Sequence, residues 1–299
     1  MILGHPASLV SKGKNKDIYA LDDERLGFVF TSRISAFDGV VGTTTPKRAE
    51  LLCECSAMIF TLFEKLDIPT HLLQWGSDQM IVRKLVRLPF EFIVRNVLMG
   101  SAFKRYARGE LELPEGMTGS EYEEFPKPFF EITTKLEKHD RIVTGEEIPS
   151  IARKHMPGYQ DNVIEIAMRK ARFTTEKIGL LLREVFAAAG FVFIDGKLEY
   201  GLDKEGKLFV IDSFGPDEFR ACTPSSLART LLNIQDSPEF YDKEFLRRQL
   251  RDAPKEGREE VVEQVAGELE QRYEKITSAL REVIKMIIKK PKALEKLQR

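Results

Sequence analysis

Residues 194 to 214, IDGKLEYGLDKEGKLFVIDSF, constrain the fold of this chain more than any other stretch. Ile194 to Tyr200 alternates, Leu208 to Phe214 is apolar and β-prone, and Asp203-Lys204-Glu205-Gly206 reads as the turn of a β-hairpin. A four-residue loop at 203–206 sets Leu202 against Lys207, Glu199 against Val210, Lys197 against Asp212 and Asp195 against Phe214. Asp195, Lys197, Glu199 and Asp212 then share one face, while Leu198, Tyr200, Phe209 and Ile211 share the other. A one-residue slip would put Asp212 among the apolar residues, so the pattern itself selects this register. The preceding run Phe191-Val192-Phe193-Ile194 marks a strand well inside the molecule. Carboxylates gathered on a central sheet call for a cation, and two of them in oxygen-only surroundings suit Mg²⁺ carrying phosphates. A solvated face with a cross-strand Lys–Asp pair is the alternative, and the hairpin alone leaves both open.

Composition narrows the setting. With 299 residues, 42% of them hydrophobic, the chain can bury a substantial core as one large domain or a few joined lobes. Its 46 basic and 47 acidic residues nearly cancel, which disfavours nucleic acid as a partner. Cys53 and Cys55 are two apart in a helical stretch and diverge, and Cys222 is remote, so neither a disulfide framework nor a zinc site is expected. No apolar run has the length of a membrane span and no signal peptide is evident, so a cytoplasmic protein is expected, away from membranes.

Along the first 90 residues short strands surround one helix. Asp17 to Leu21 and Leu26 to Thr31 read as strands, and Arg48 to Leu66 as a helix ending before Asp67-Ile68-Pro69. Gln79 to Leu98 returns to strands, punctuated by Pro89. Residues 107–160 lack periodicity and read as long functional loops. Asn162 to Ala189 is a helix closed by Gly190. The stripe Val262, Val265, Leu269, Tyr273, Ile276, Leu280, Val283, Ile287 predicts a helix packed on its own chain, a coiled-coil seam being the alternative.

Several polar groups stand out. Ser11-Lys12-Gly13-Lys14-Asn15-Lys16 places a glycine among lysines ahead of a strand, a turn able to close over phosphates, although the P-loop spacing is absent. Arg33-Ile34-Ser35-Ala36-Phe37-Asp38-Gly39 is a polar turn between apolar strands. Arg95 lies inside an apolar strand and must find an anion, with Gly100-Ser101 just beyond. Thr133-Thr134-Lys135 with His139-Asp140 forms a further cluster, and Arg220 follows the acidic hairpin. Together they suit an enzyme using Mg-nucleotide on a second anionic substrate.

These segments, in this order, resemble the SAICAR synthetases. The match is carried by Gly13 to Tyr19, Arg33 to Asp38, Val94-Arg95-Asn96 with Gly100-Ser101, Thr134-Lys135 with His139-Asp140, and Asp195 to Gly201 followed by Asp212. Tyr241 to Arg247 resembles the C-terminal part of longer members. The resemblance implies an α+β, two-lobed fold related to the ATP-grasp and kinase-like folds. On this resemblance residues 1–88 would form a β-rich lobe, 89–220 an α/β lobe binding ATP and substrate, and 221–299 a helical region packed on the body. It implies an ATP-dependent ligase that phosphorylates the carboxylate of carboxyaminoimidazole ribotide (CAIR) and lets the amine of aspartate displace the phosphate. By position, Lys14, Asn15, Lys16, Asp195 and Lys197 would bind ATP, and Glu199 and Asp212 would hold Mg²⁺. Lys197, Glu199 and Asp212 would be catalytic. Ser35, Asp38, Arg95, Ser101, Lys135, His139, Asp140 and Arg220 would bind substrate. Small-molecule partners follow, with a homo-oligomer left open.

The chain departs from the family pattern at Ser32, at Thr45-Pro46-Lys47-Arg48, at Ser213 and at Asp217 to Ala221. In the register above Ser213 points away from the acidic face, and Arg48 adds a cation on the substrate side. A paralogous ligase acting on another carboxylate or amine, or a small-molecule kinase on the same nucleotide lobe, is therefore the alternative.

Overall fold

A computed structural model describes residues 1–37, 39–136 and 141–290. The chain opens with strands β1 (Ser8–Lys12), β2 (Lys16–Ala20), β3 (Arg25–Phe30), β4 (Arg33–Ala36) and β5 (Gly39–Thr43). Helix α1 (Pro46–Lys65) leads to β6 (Leu72–Gly76), β7 (Gln79–Arg83), β8 (Val86–Arg87) and β9 (Phe90–Val97). Then come α2 (Ser101–Ala107), β10 (Glu124–Thr134), α3 (Ile148–His155) and α4 (Asp161–Ala188). The last part holds β11 (Val192–Leu202), β12 (Leu208–Ile211), β13 (Phe219–Cys222), α5 (Pro224–Leu231), α6 (Lys243–Gln249) and α7 (Arg258–Lys289).

Two sheets dominate, and the fold is α+β, as expected. One is five-stranded in the order β1-β2-β3-β7-β6. In the other, β10, β9, β11 and β12 lie side by side, and β11 also pairs with β13 and β8. All eight residues of β9 are buried. Their alternation splits them: Phe90, Phe92 and Val94 join the core against α4, while Glu91, Ile93 and Arg95 face the other way. The helix comes this close because position 179 is glycine; a Cβ there would lie 2.3 Å from Val94 Cγ2. Helix α7 buries its apolar stripe on its own chain, and Arg281 Nε and Nη2 reach Glu54 of α1 at 2.6 and 2.7 Å. The packed helix, not the coiled-coil seam, is realised. Among the described residues no helix is long and apolar enough to cross a membrane.

Two expectations are corrected here. Residues 107–160 are not loops throughout: β10 supplies eleven residues of sheet, and α3 follows. Pro126 and Pro128 hid this strand, and both fall in the irregular stretch between Glu124 and Phe129, where pairing with β9 is interrupted. The hairpin register is one residue off. Glu199 opposes Ile211 and Tyr200 opposes Val210, across a loop closed by Asp203 N donating to Lys207 O. Ile211 and Phe209 therefore share the face of Glu199, and Leu208 and Val210 enter the core with Tyr200.

Candidate functional site

Pairing brings the charged residues of three strands onto one face. Asp195 lies beside Arg95, Lys197 beside Ile93, Glu131 beside Ile93 and Thr133 beside Glu91. Charge separates along this face into two clusters, one at each end.

The first cluster is built from carboxylates and lysines. Lys16, 6% exposed at the start of β2, donates to Ser213 Oγ at 2.7 Å and pairs with Asp212 at 2.6 Å. Lys135 bridges Glu91 and Glu199, the latter at 2.9 Å, and Lys197 reaches Glu91 at 2.8 Å. Asp212 joins the cluster through an unusual backbone. After β12 its φ is +71°, so its side chain leaves the alternation that would carry it to the core. Burial and the nearby Asp212 charge push the Glu199 carboxyl above its usual range, with Lys135 opposing. Desolvation also acts upward on Asp212, but Lys16, helped by Lys135 and a hydrogen bond with Glu199, holds that carboxyl low. The buried Oε2 of Glu199 has no hydrogen-bond partner. Beneath Asp212, His71 is buried between aromatic rings, and burial lowers its pKa to about 4.

The second cluster is built on arginines. Arg95 donates from Nε to Glu131 at 2.7 Å, from Nη1 to Asp195 at 2.8 Å and from Nη2 to Ser101 Oγ at 3.1 Å. Arg220 Nε donates to Asp195 at 2.8 Å, and Arg105 pairs with Glu131. Arg220 approaches because residue 100 is glycine at φ +62°; a Cβ there would lie 2.8 Å from Arg220 Nη1. Arg247 pairs with Glu244 and lines the same cavity of about 230 Å³. Among the residues that line it, Arg95, Lys197, Arg220 and Arg247 set against Asp195, Asp217 and Glu218 leave one positive charge in excess, which suits the cavity to an anion.

Not every expected residue falls where the sequence put it. Asp195, expected at the nucleotide, is locked between Arg95 and Arg220. Ser213 does not point away from the acidic face: it accepts from Lys16 and donates to Glu218 at 3.1 Å. Asn15 Nδ2 donates to Glu218 at 3.2 Å, and Lys14 is exposed on the neighbouring turn. Ser35 accepts from Lys243 at 2.8 Å within a buried network whose Asp217 borders the arginine-lined cavity. Arg48 belongs to that network too. It is 0% exposed and 2.6 Å from Asp217, so it adds no free cation to the substrate side. Asp38, His139 and Asp140 lie outside the described residues.

Glu91, Glu131, Arg105 and Arg247 were missed. Phe90-Glu91-Phe92 and Phe130-Glu131-Ile132 carry the signal that singled out Arg95, a charge inside an apolar strand. The arginines, on helices α2 and α6, carry no such signal.

Known proteins resemble this chain over most of its length. A family model described as SAICAR synthetase matches residues 9–265. The phosphoribosylaminoimidazole-succinocarboxamide synthase of Nitrosopumilus maritimus is 29% identical over 273 residues, covering 87% of this chain and 92% of that protein. A solved SAICAR synthetase (Type-2) in complex with ADP is 26% identical with a TM-score of 0.64, over 87% of this chain and 98% of the other. The Saccharomyces cerevisiae SAICAR synthase complexed with SAICAR is 25% identical with a TM-score of 0.69, over 92% and 96%. This chain belongs to the SAICAR synthetase family.

Proposed function

We propose that this chain is an ATP-dependent ligase that joins L-aspartate to the carboxylate of CAIR, releasing SAICAR, ADP and phosphate. One observation carries the reading. A single strand, β11, presents Asp195 to the arginine cluster and Glu199 to the carboxylate–lysine cluster on the same face. Four residues of strand separate them by about 13 Å. A ribotide can then seat its 5′-phosphate among Arg95, Arg220 and Ser101 while its base carboxylate faces the lysines. In this reading the β-rich lobe of residues 1–88 covers the nucleotide, residues 89–220 bind ATP and acceptor, and the helices α5 to α7 buttress both.

A carboxylate oxygen of the ribotide attacks the γ-phosphorus of ATP, and ADP departs. The amine of aspartate attacks the acyl carbon, phosphate leaves with the C–O bonding electrons, and the nitrogen loses a proton. Lys14 and Lys16 hold phosphates. Lys197, half-exposed and anchored by Glu91, neutralises the group in transit. Mg²⁺ fits the acidic end: Glu199 Oε2 is buried without a hydrogen-bond partner, its ion-pair partner Arg87 standing off at 3.6 Å, and Asp212 is close enough to raise its pKa. Among the described residues no group of three or more His, Cys, Asp or Glu could hold a metal, and Mg²⁺ needs only one or two carboxylates when phosphates complete its shell. When bound it neutralises phosphate charge.

Mass spectrometry of a reaction with ATP, CAIR and L-aspartate tests this. SAICAR, ADP and phosphate are expected in equal amounts. ATP binding without an amide from this pair would end the reading in favour of another carboxylate or amine.

A further inference from the structure

Regular alternation beyond β12 would send residue 212 to the packed face, with Leu208 and Val210. The φ of +71° turns it back, so that its carboxylate meets Lys16 at 2.6 Å. A left-handed backbone is unfavourable for a residue with a Cβ, though less so for Asp than for most, and contacts from its surroundings favour it here.

His71 provides the hold. Its Nε2 lies 3.0 Å from the main-chain oxygen of Asp212. A carbonyl can only accept, so the ring donates from Nε2. The ring is only 3% exposed, and Phe28 of β3 and Phe60 of α1 meet it edge-on at 5.5 and 5.7 Å. The main chain of His71 is fixed as well: its N–H donates to Val210 O at 3.0 Å, and its carbonyl accepts from Arg83 N at 2.8 Å. Helix α1 and the five-stranded sheet thus converge on one N–H, aimed at one carbonyl.

We infer that His71 is a positioning residue of the nucleotide site, clamping the Asp212 main chain in the left-handed turn that points its carboxylate at that site. The inference rests on the reading of Asp212 as a ligand of nucleotide-bound Mg²⁺. It assigns His71 no contact with substrate.

Calorimetric titration of the full chain with ADP, with and without Mg²⁺, tests it. His71→Phe fills the aromatic slot without a donor, and His71→Gln returns an N–H near the Nε2 position. Expected for His71→Phe is a loss of about tenfold or more in the Mg²⁺-dependent affinity, as for other residues that orient metal ligands. ADP alone should bind as to the wild type, and His71→Gln should recover most of the loss. If circular dichroism shows His71→Phe unfolded, His71→Asn replaces it, keeping an amide too short to reach the carbonyl. Equal losses with and without Mg²⁺, or Asn and Gln behaving alike, would overturn the inference. Asp212→Asn separates the two levels. If it leaves Mg²⁺ dependence intact, the metal reading fails and the inference with it. If Asp212→Asn abolishes Mg²⁺ dependence and the variant lacking the donor keeps it, only the positioning role of His71 fails.

Discussion

Glu199 and Asp212 differ in how their neighbours treat charge. Glu199 is buried beside a second carboxylate and is pushed up, whereas Asp212 rests on Lys16 and is held down. Bringing a divalent cation between them reverses the penalty on Glu199. Glu199→Gln and Asp212→Asn should therefore each lower turnover by roughly a hundredfold or more, with the fold intact by circular dichroism. Near-normal rates in both at limiting Mg²⁺ would remove them from the metal site. His71 gives a separate pH signature. Burial lowers its pKa from 6.5 to about 4, so the folded protein binds fewer protons there than the unfolded chain. Its contribution is complete above pH 6.5 and is lost as pH falls toward 4, by at most about 3 kcal/mol. Urea unfolding at pH 7.5 and 4.5 should show a smaller acid loss in His71→Gln than in the wild type; equal losses would show that His71 does not titrate on unfolding.

At the scale of elements, the strand β11 and the turn before α2 set the anion seat. Arg95 and Arg220 clamp Asp195 from two neighbouring strands, leaving their remaining N–H groups for a ligand. Arg220→Ala should cost about 2–5 kcal/mol in kcat/KM for the ribotide, and far less for the dephosphorylated nucleoside. A uniform loss on both substrates would make the arginine a structural partner of Asp195. Gly100→Ala acts on the same seat from the backbone. Its Cβ would lie 2.8 Å from Arg220 Nη1, at a φ of +62°. A rise in ribotide KM with kcat largely retained is expected, together with about 1–2 kcal/mol of lost stability. An unchanged KM would show that the seat does not depend on this approach.

At the scale of the whole molecule, a buried network joins distant parts of the chain. Asp217 accepts from Arg48 of α1 at 2.6 Å, Lys243 of α6 at 3.1 Å and Tyr273 of α7 at 2.8 Å. It lies three residues before Arg220, so α1, α6 and α7 together support the loop between the two clusters. One carboxylate serves two cations, which orders the mutational costs. Asp217→Ala strands Arg48 and Lys243 and should cost about 3–5 kcal/mol, whereas Arg48→Met leaves Lys243 to pair with Asp217 and should cost less. Chemical denaturation measures both, and equal losses would reject this sharing. Arg48→Met should also leave the KM for ribotide and aspartate near wild type, because the guanidinium is sealed from the substrate side.

By itself the sequence determined most elements, because each announces its burial through a local period. The stripe of α7, the run of α4 and the apolar strands β3 and β9 are legible this way. So are the charged residues of β11, since alternation within a strand needs no partner. What pairs with what was decided only by the tertiary structure. The hairpin slipped by one residue, yet Asp212 still reached the acidic face, because a single positive φ held by His71 undid the slip. Strand β10 was invisible because its prolines forbid the regular pattern, and only β9 beside it makes it a strand. Arg48 read as a free cation because its neutralising carboxylate is 169 positions away. Periodicity is a property of adjacent residues, whereas register, charge neutralisation and the aim of a carboxylate are set by groups the chain brings together only when it folds.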